Sequence, residues 1–177
     1  TTSALCMPMA RVGIYFAIKA LIQPGQKVIL SPYTIAEVVN MVVCAGGVPV
    51  FADIERTTCN IDRAEVERLI DDDTGAVLVT HFYGLTCDVE GIVALCSQRG
   101  IPVVEDAAQA FGAKVGDAYA GSIGTVGVFS FGLYKNISSF LGGALISNDD
   151  ALIARISDEI ESLPSQSRRG IFTKAAQ

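Results

Sequence analysis

The sequence predicts an α/β fold, a mostly parallel sheet sandwiched by helices. Short apolar runs alternate with segments of helical spacing. The apolar runs are continuous rather than broken by polar residues, as in strands buried on both faces. Gly- and Pro-containing turns separate the segments. Half of the 177 residues are hydrophobic and 18% are charged, which excludes disorder and supplies one core of ordinary size. With no internal repeat, low-complexity tract or linker, residues 1–177 read as one domain.

The elements follow in order. Residues 10–22, ARVGIYFAIKALI, have helical spacing and stop at the QPGQ turn. KVILSP (27–32) is a short buried strand, and the helix of 34–47 is closed by Gly46 and Gly47. VPVFADI (48–54) is strand, 62–70 helix, 76–82 strand, 89–100 helix and 101–106 strand. Two further strands, 124–132 and 142–149, precede a closing helix over 149–163.

Several function classes drop out on composition. No run of about 18 apolar residues occurs, so a membrane span is not expected. The net charge of −6 opposes non-specific binding to nucleic acid. The five cysteines (Cys6, Cys44, Cys59, Cys87, Cys96) form no C-x-x-C pair, and His81 is the single histidine, so no metal site is assigned. Scattered cysteines in odd number suit reduced thiols of a cytoplasmic protein, most of them core residues. The chain begins abruptly at TTSALCMPMA without a leader or initiator Met, which points to a piece of a longer protein.

In such folds ligands sit beyond the carboxyl ends of the strands. There the sequence places Ser31 to Thr34, His81 to Gly84, Glu105 to Gln109, and Ser130 with Lys135. GSIGTVG (121–127) has the wrong glycine spacing for a dinucleotide loop and leads into a strand, not a helix. GVFSFGLYK has no Ser or Thr after its lysine to hold magnesium, so a phosphate loop is rejected too. Lys135 follows Val128, Phe129, Phe131 and Leu133 and is expected to be buried, where an ammonium is costly unless paired or used covalently. The plain alternative is a lysine snorkelling at a strand end. For Asp106 the plain alternative is a cap after a strand. Together, an acid and an amine on neighbouring strand ends suggest pyridoxal phosphate, which needs a Schiff-base lysine and an acidic partner for its ring nitrogen. The helix opening at Ala10, Arg11 and Val12 is suited to the phosphate, with the Ser130 hydroxyl.

VVEDAAQAFGA, GSIGTVGVFSFGLYKN and GGALISND, with GQKVILSPYT, GGVPVFADI and HFYG before them, resemble the DegT/DnrJ/StrS family of pyridoxal-phosphate-dependent sugar-nucleotide aminotransferases. The resemblance runs over essentially the whole chain. It implies the large domain of a fold type I aminotransferase, here without the smaller C-terminal domain, in a homodimer with a shared active site. It also implies transfer of an amino group, commonly from glutamate, to a nucleotide-linked keto-sugar. Lys135 is then the internal-aldimine lysine and proton shuttle, Asp106 the partner of the pyridine nitrogen, and Gln109 a contact of the ring and its oxygen substituent. Ser130, with the backbone at Arg11 and Val12, holds the phosphate. Relatives that dehydrate sugars carry histidine where Lys135 stands, so the lysine favours transamination.

The chain departs from the family pattern at three blocks. Arg11 replaces a threonine and could bind phosphate bidentately. Ile35 replaces an aromatic that stacks on the cofactor, for which Tyr33 is a candidate substitute, and Leu141 replaces an acid. These changes keep a second reading open, a non-catalytic domain of the same fold acting as an interaction module. His81 is either an active-site residue, as its block suggests, or a structural histidine at a strand end. Arg168 and Arg169 read as a solvated loop rather than a nucleotide clamp.

Overall fold

The computed structural model describes residues 3–163, so Arg168 and Arg169 lie outside the described residues. Strand β1 (Ser3–Met7) leads to helix α1 (Ala10–Leu21), β2 (Lys27–Leu30), α2 (Ala36–Cys44), β3 (Val48–Phe51) and α3 (Arg63–Leu69). There follow β4 (Thr74–Thr80), a 3-10 turn (Phe82–Gly84), α4 (Val89–Ser97), β5 (Val103–Asp106), β6 (Lys114–Val115) and β7 (Ala118–Tyr119). β8 (Val126–Ser130), β9 (Gly143–Ser147) and α5 (Asp150–Glu161) close the described chain.

Seven strands form one sheet in the order β1-β9-β8-β5-β4-β2-β3. β3, β2, β4, β5 and β8 run parallel, while β9 is antiparallel to both β8 and β1. The sheet is therefore mostly parallel, as its continuous apolar strands require. Every residue of β4 is buried.

The period of two along the strands divides the core into two layers. Val28, Leu30, Ala76, Leu78, Val104 and Val128 pack with α1, α2 and α5. Ile29, Val77, Val79 and Val103 pack with α3 and α4. Glu105 and Asp106 follow this alternation at the end of β5 and belong to opposite faces.

Some elements differ from expectation. β1 and the short β6–β7 hairpin are additional. Gly46 ends α2 in the left-handed region (φ 89°), as its position suggests. Only Cys87 and Cys96 are buried; Cys6 and Cys44 are exposed, because β1 and the end of α2 lie at the surface.

Candidate active site

The carboxyl ends of β5 and β8 open on a cleft of about 310 Å³ bordered by the first turn of α1. Asp106, Ser130, Lys135 and Arg11 all line it. Four of the six expected site residues thus meet in one place.

Asp106 is 6% exposed. Its Oδ1 accepts the Ala108 N–H at 3.0 Å, and among the described residues none is bonded to Oδ2. Among the described residues no side-chain oxygen closed to solvent lacks a partner, so Oδ2 opens on the cleft. Burial pushes the Asp106 carboxyl above its ordinary range, against the Ala108 N–H and the field of Lys135. A buried acid with one open oxygen gains most from a cationic N–H donor.

The first turn of α1 suits an anion. α3, α4 and α5 are capped by Asp62, Asp88 and Asp149, and α2 carries Glu37 in its first turn. α1 has neither a side-chain cap nor an acid there, which leaves its positive end uncompensated beside Ser130. Arg11 lies at the same edge, with Nη1 3.2 Å from Glu37 Oε1 in an exposed pair. Such a pair is worth about 0–1 kcal/mol and yields readily to a phosphate.

Three expectations need correction or refinement. Val12 does not line the cleft: its N–H donates to the Met9 carbonyl at 3.1 Å, and its side chain turns to the core. A first-turn amide that bonds back to the N-cap has no hydrogen left for a ligand. Gln109 lies in an adjoining cleft of about 340 Å³ with Tyr83, Tyr134, Lys135 and Asn136. Its Oε1 accepts the Tyr83 N–H at 3.1 Å, leaving the amide NH₂ as the free donor.

The third concerns Lys135, which is half-buried, not buried. After Ser130 the chain leaves the sheet and turns outward, so Leu133 and Tyr134 face solvent, Tyr134 at 98%. The same excursion forms an apolar lip of Leu133, Tyr134, Phe140 and Leu141 along the cleft. Phe140 holds a left-handed backbone (φ 67°), a conformation costly for a non-glycine residue and frequent at functional sites. Ile35 lines the cleft, whereas the Tyr33 ring packs tilted against Phe82, centroids 4.5 Å apart, and is no part of its lining.

His81, which the sequence left between an active-site and a structural role, and Glu105, which it gave no role, form a separate cluster behind Asp106. His81 Nε2 lies 2.9 Å from Glu105 Oε2, with neither residue exposed. The signal was a charged residue inside an apolar run; its partners are 16 to 24 residues away along the chain.

A model of the DegT/DnrJ/EryC1/StrS aminotransferase family matches residues 1–170. A pleiotropic regulatory protein of Geobacillus stearothermophilus is 40% identical over 142 residues, 79% of this chain and 38% of that protein. GDP-perosamine synthase of Vibrio cholerae is 38% identical over 143 residues, 80% of this chain and 39% of that enzyme. The aminotransferase from Psychrobacter cryohalolentis superposes with a TM-score of 0.81 at 32% identity, covering 86% of this chain and 39% of that one. The chain thus spans 38–39% of the length of these relatives. Pyridoxal 5′-phosphate is the cofactor of such enzymes, and the open Asp106 oxygen, the Lys135 amine and the uncapped α1 end fit it. Matched over 170 of its residues, the chain belongs to the DegT/DnrJ/EryC1/StrS aminotransferase family.

Proposed function

We propose that this chain binds pyridoxal phosphate and serves an aminotransferase that moves an amino group from glutamate to a nucleotide-linked keto-sugar. The carrying observation is a buried, half-satisfied aspartate and a lysine facing one cleft beyond the ends of parallel strands. A nucleotide-sugar substrate is supported by the name of one relative, GDP-perosamine synthase.

Each side chain has a task that its surroundings suit. Asp106 Oδ2 would hold the proton of the ring nitrogen, while the Ala108 N–H keeps Oδ1 in place. Ser130, Arg11 and the first turn of α1 would take the phosphate. Gln109, with its oxygen held by Tyr83, would donate to the ring's oxygen substituent. Lys135 Nζ would hold the cofactor covalently, and then take and return the proton that moves between carbons. Bound there, pyridoxal phosphate supplies an electron sink for the pair left by that proton. The apolar walls, Ile14, Ile35 and Val38 among them, exclude water from the cleft.

The exposed lip supports a homodimer with a shared active site, since a second copy would cover Leu133, Tyr134, Phe140 and Leu141. Five unpaired thiols support a cytoplasmic setting.

The test is a visible spectrum of the purified chain with pyridoxal phosphate, before and after borohydride, beside Lys135→Ala. A band that borohydride converts to a covalent adduct, mapped to Lys135 by mass spectrometry, is the expected result. Glutamate should then bleach the band in the untreated sample. The same adduct at other lysines in Lys135→Ala, or no band at saturating cofactor, overturns the reading.

A further inference from the structure

Directly behind Asp106 lies a polar cluster that the cleft does not use. Glu105 and His81 have no exposed surface and lie on the α3/α4 side of the sheet. His81 Nδ1 accepts the Cys87 N–H at 3.4 Å, which leaves the proton on Nε2. Nε2–H then donates to Glu105 Oε2 at 2.9 Å, and the same oxygen accepts the Gly121 N–H at 2.7 Å. Oε1 accepts from Ile123 N–H at 2.7 Å and Gly124 N–H at 2.5 Å. Four donors meet a carboxylate with about four acceptor sites, so the anion is saturated.

A buried charge cluster is a poor stabiliser, because apolar residues of the same volume frequently do as well. Its connections indicate what else it does. The His81 backbone N–H donates to the Asp106 carbonyl at 3.1 Å, and the Ala107 N–H to the Val128 carbonyl at 2.9 Å. The loop held by Glu105 packs straight onto β8, where a Cβ at Gly127 would lie 1.8 Å from the Gly121 oxygen. One carboxylate therefore fixes the end of β4, the end of β5 with Asp106, and the entry to β8, which ends at Ser130.

We propose that Glu105 and His81 are a positioning pair, which locks these three segments from behind and so sets the reach of Asp106 and Ser130 toward bound pyridoxal phosphate. The proposal rests on the cofactor reading above and adds two residues that do not touch the cleft.

Two histidine variants separate positioning from stability. His81→Gln keeps a nitrogen donor where Nε2 stands and gives up Nδ1. His81→Asn keeps an acceptor near Nδ1 and gives up the reach to Glu105. Melting temperature, the dissociation constant for pyridoxal phosphate and the wavelength of the bound chromophore are measured for both and for the parent. His81→Asn should bind pyridoxal phosphate about tenfold more weakly, as when an outer partner of a bound group is lost, with a shifted band. His81→Gln should stay close to the parent in both readouts at a similar melting temperature. Equal binding and equal bands in the two variants overturn the proposal, even where both melt lower. If His81→Asn does not fold, Glu105→Gln decides by the same two readouts, with unchanged binding and band overturning it. A parent chain that binds no pyridoxal phosphate overturns the cofactor reading instead, and the positioning role with it.

Discussion

Two neighbouring acids at the end of β5 show how one strand can face architecture on one side and chemistry on the other. Glu105 and Asp106 are both buried in the same sheet, one residue apart. Glu105 accepts four hydrogen bonds; Asp106 accepts one and keeps an oxygen for the cleft. Burial pushes both carboxyls upward. For Glu105, the hydrogen bonds from His81, Gly124 and Gly121 outweigh it and hold the group below its ordinary range. For Asp106, one N–H and the distant charge of Lys135 do not. Burial alone therefore does not mark a functional acid; a buried acid with an unspent oxygen does.

The largest expected effect comes from breaking the satisfied side. Glu105→Ala strands three backbone N–H groups and the His81 donor. Each costs roughly 1–3 kcal/mol when left buried and unsatisfied, so a loss of at least about 3 kcal/mol is expected. Denaturant unfolding measures it. Because the folded pKa of Glu105 is depressed, its stabilisation is present above the unfolded value of about 4.3 and lost as pH falls through the folded value. The gap between parent and variant should therefore narrow on acidification. A cost under about 1 kcal/mol, the level of an ordinary substitution, would equate the two acids and undo the comparison.

Asp106→Asn should act in the opposite direction on the apo chain. Asparagine keeps an acceptor for the Ala108 N–H and removes a charge that burial disfavours. A raised folded pKa means that stability is present below the unfolded value of about 3.9 and lost as pH rises through the folded one. The variant should thus melt above the parent at neutral pH, and the advantage should vanish in acid. Its affinity for pyridoxal phosphate should fall, since the amide has no charge for a cationic ring nitrogen. Melting curves at two pH values with a cofactor titration read both halves, and a variant less stable than the parent at neutral pH would contradict the account.

The sequence exposes these two sides unequally. Five parallel strands were legible because each is a continuous apolar run between turn signals. β1 was not, since SALCM is a half-exposed edge strand whose partner lies at residues 143–147, at the far end of the chain. β6 and β7, two residues each, are too short for any periodicity. Asp106, Ser130 and Lys135 were legible as polar residues after apolar strands. Glu105 was not, because its donors come from a loop and a strand distant in sequence. The apolar neighbours of Lys135 suggested burial, but aromatic residues on an outward turn read the same in sequence as aromatic residues in a core.

That outward turn sets the smallest expected effect. Lys135 is half-buried, forms no salt bridge among the described residues, and its backbone N–H donates to the Gly132 carbonyl whatever its side chain. Lys135→Ala should therefore change the unfolding free energy by no more than about 0.5 kcal/mol, as surface substitutions usually do. The same variant that removes covalent cofactor capture should leave the fold untouched, the reverse of Glu105→Ala. Chemical denaturation of the apo chain decides it. A loss above about 1 kcal/mol, beyond the surface range, would mean that the lysine supports the lip from Leu133 to Leu141, and that its position owes more to packing than to the amine.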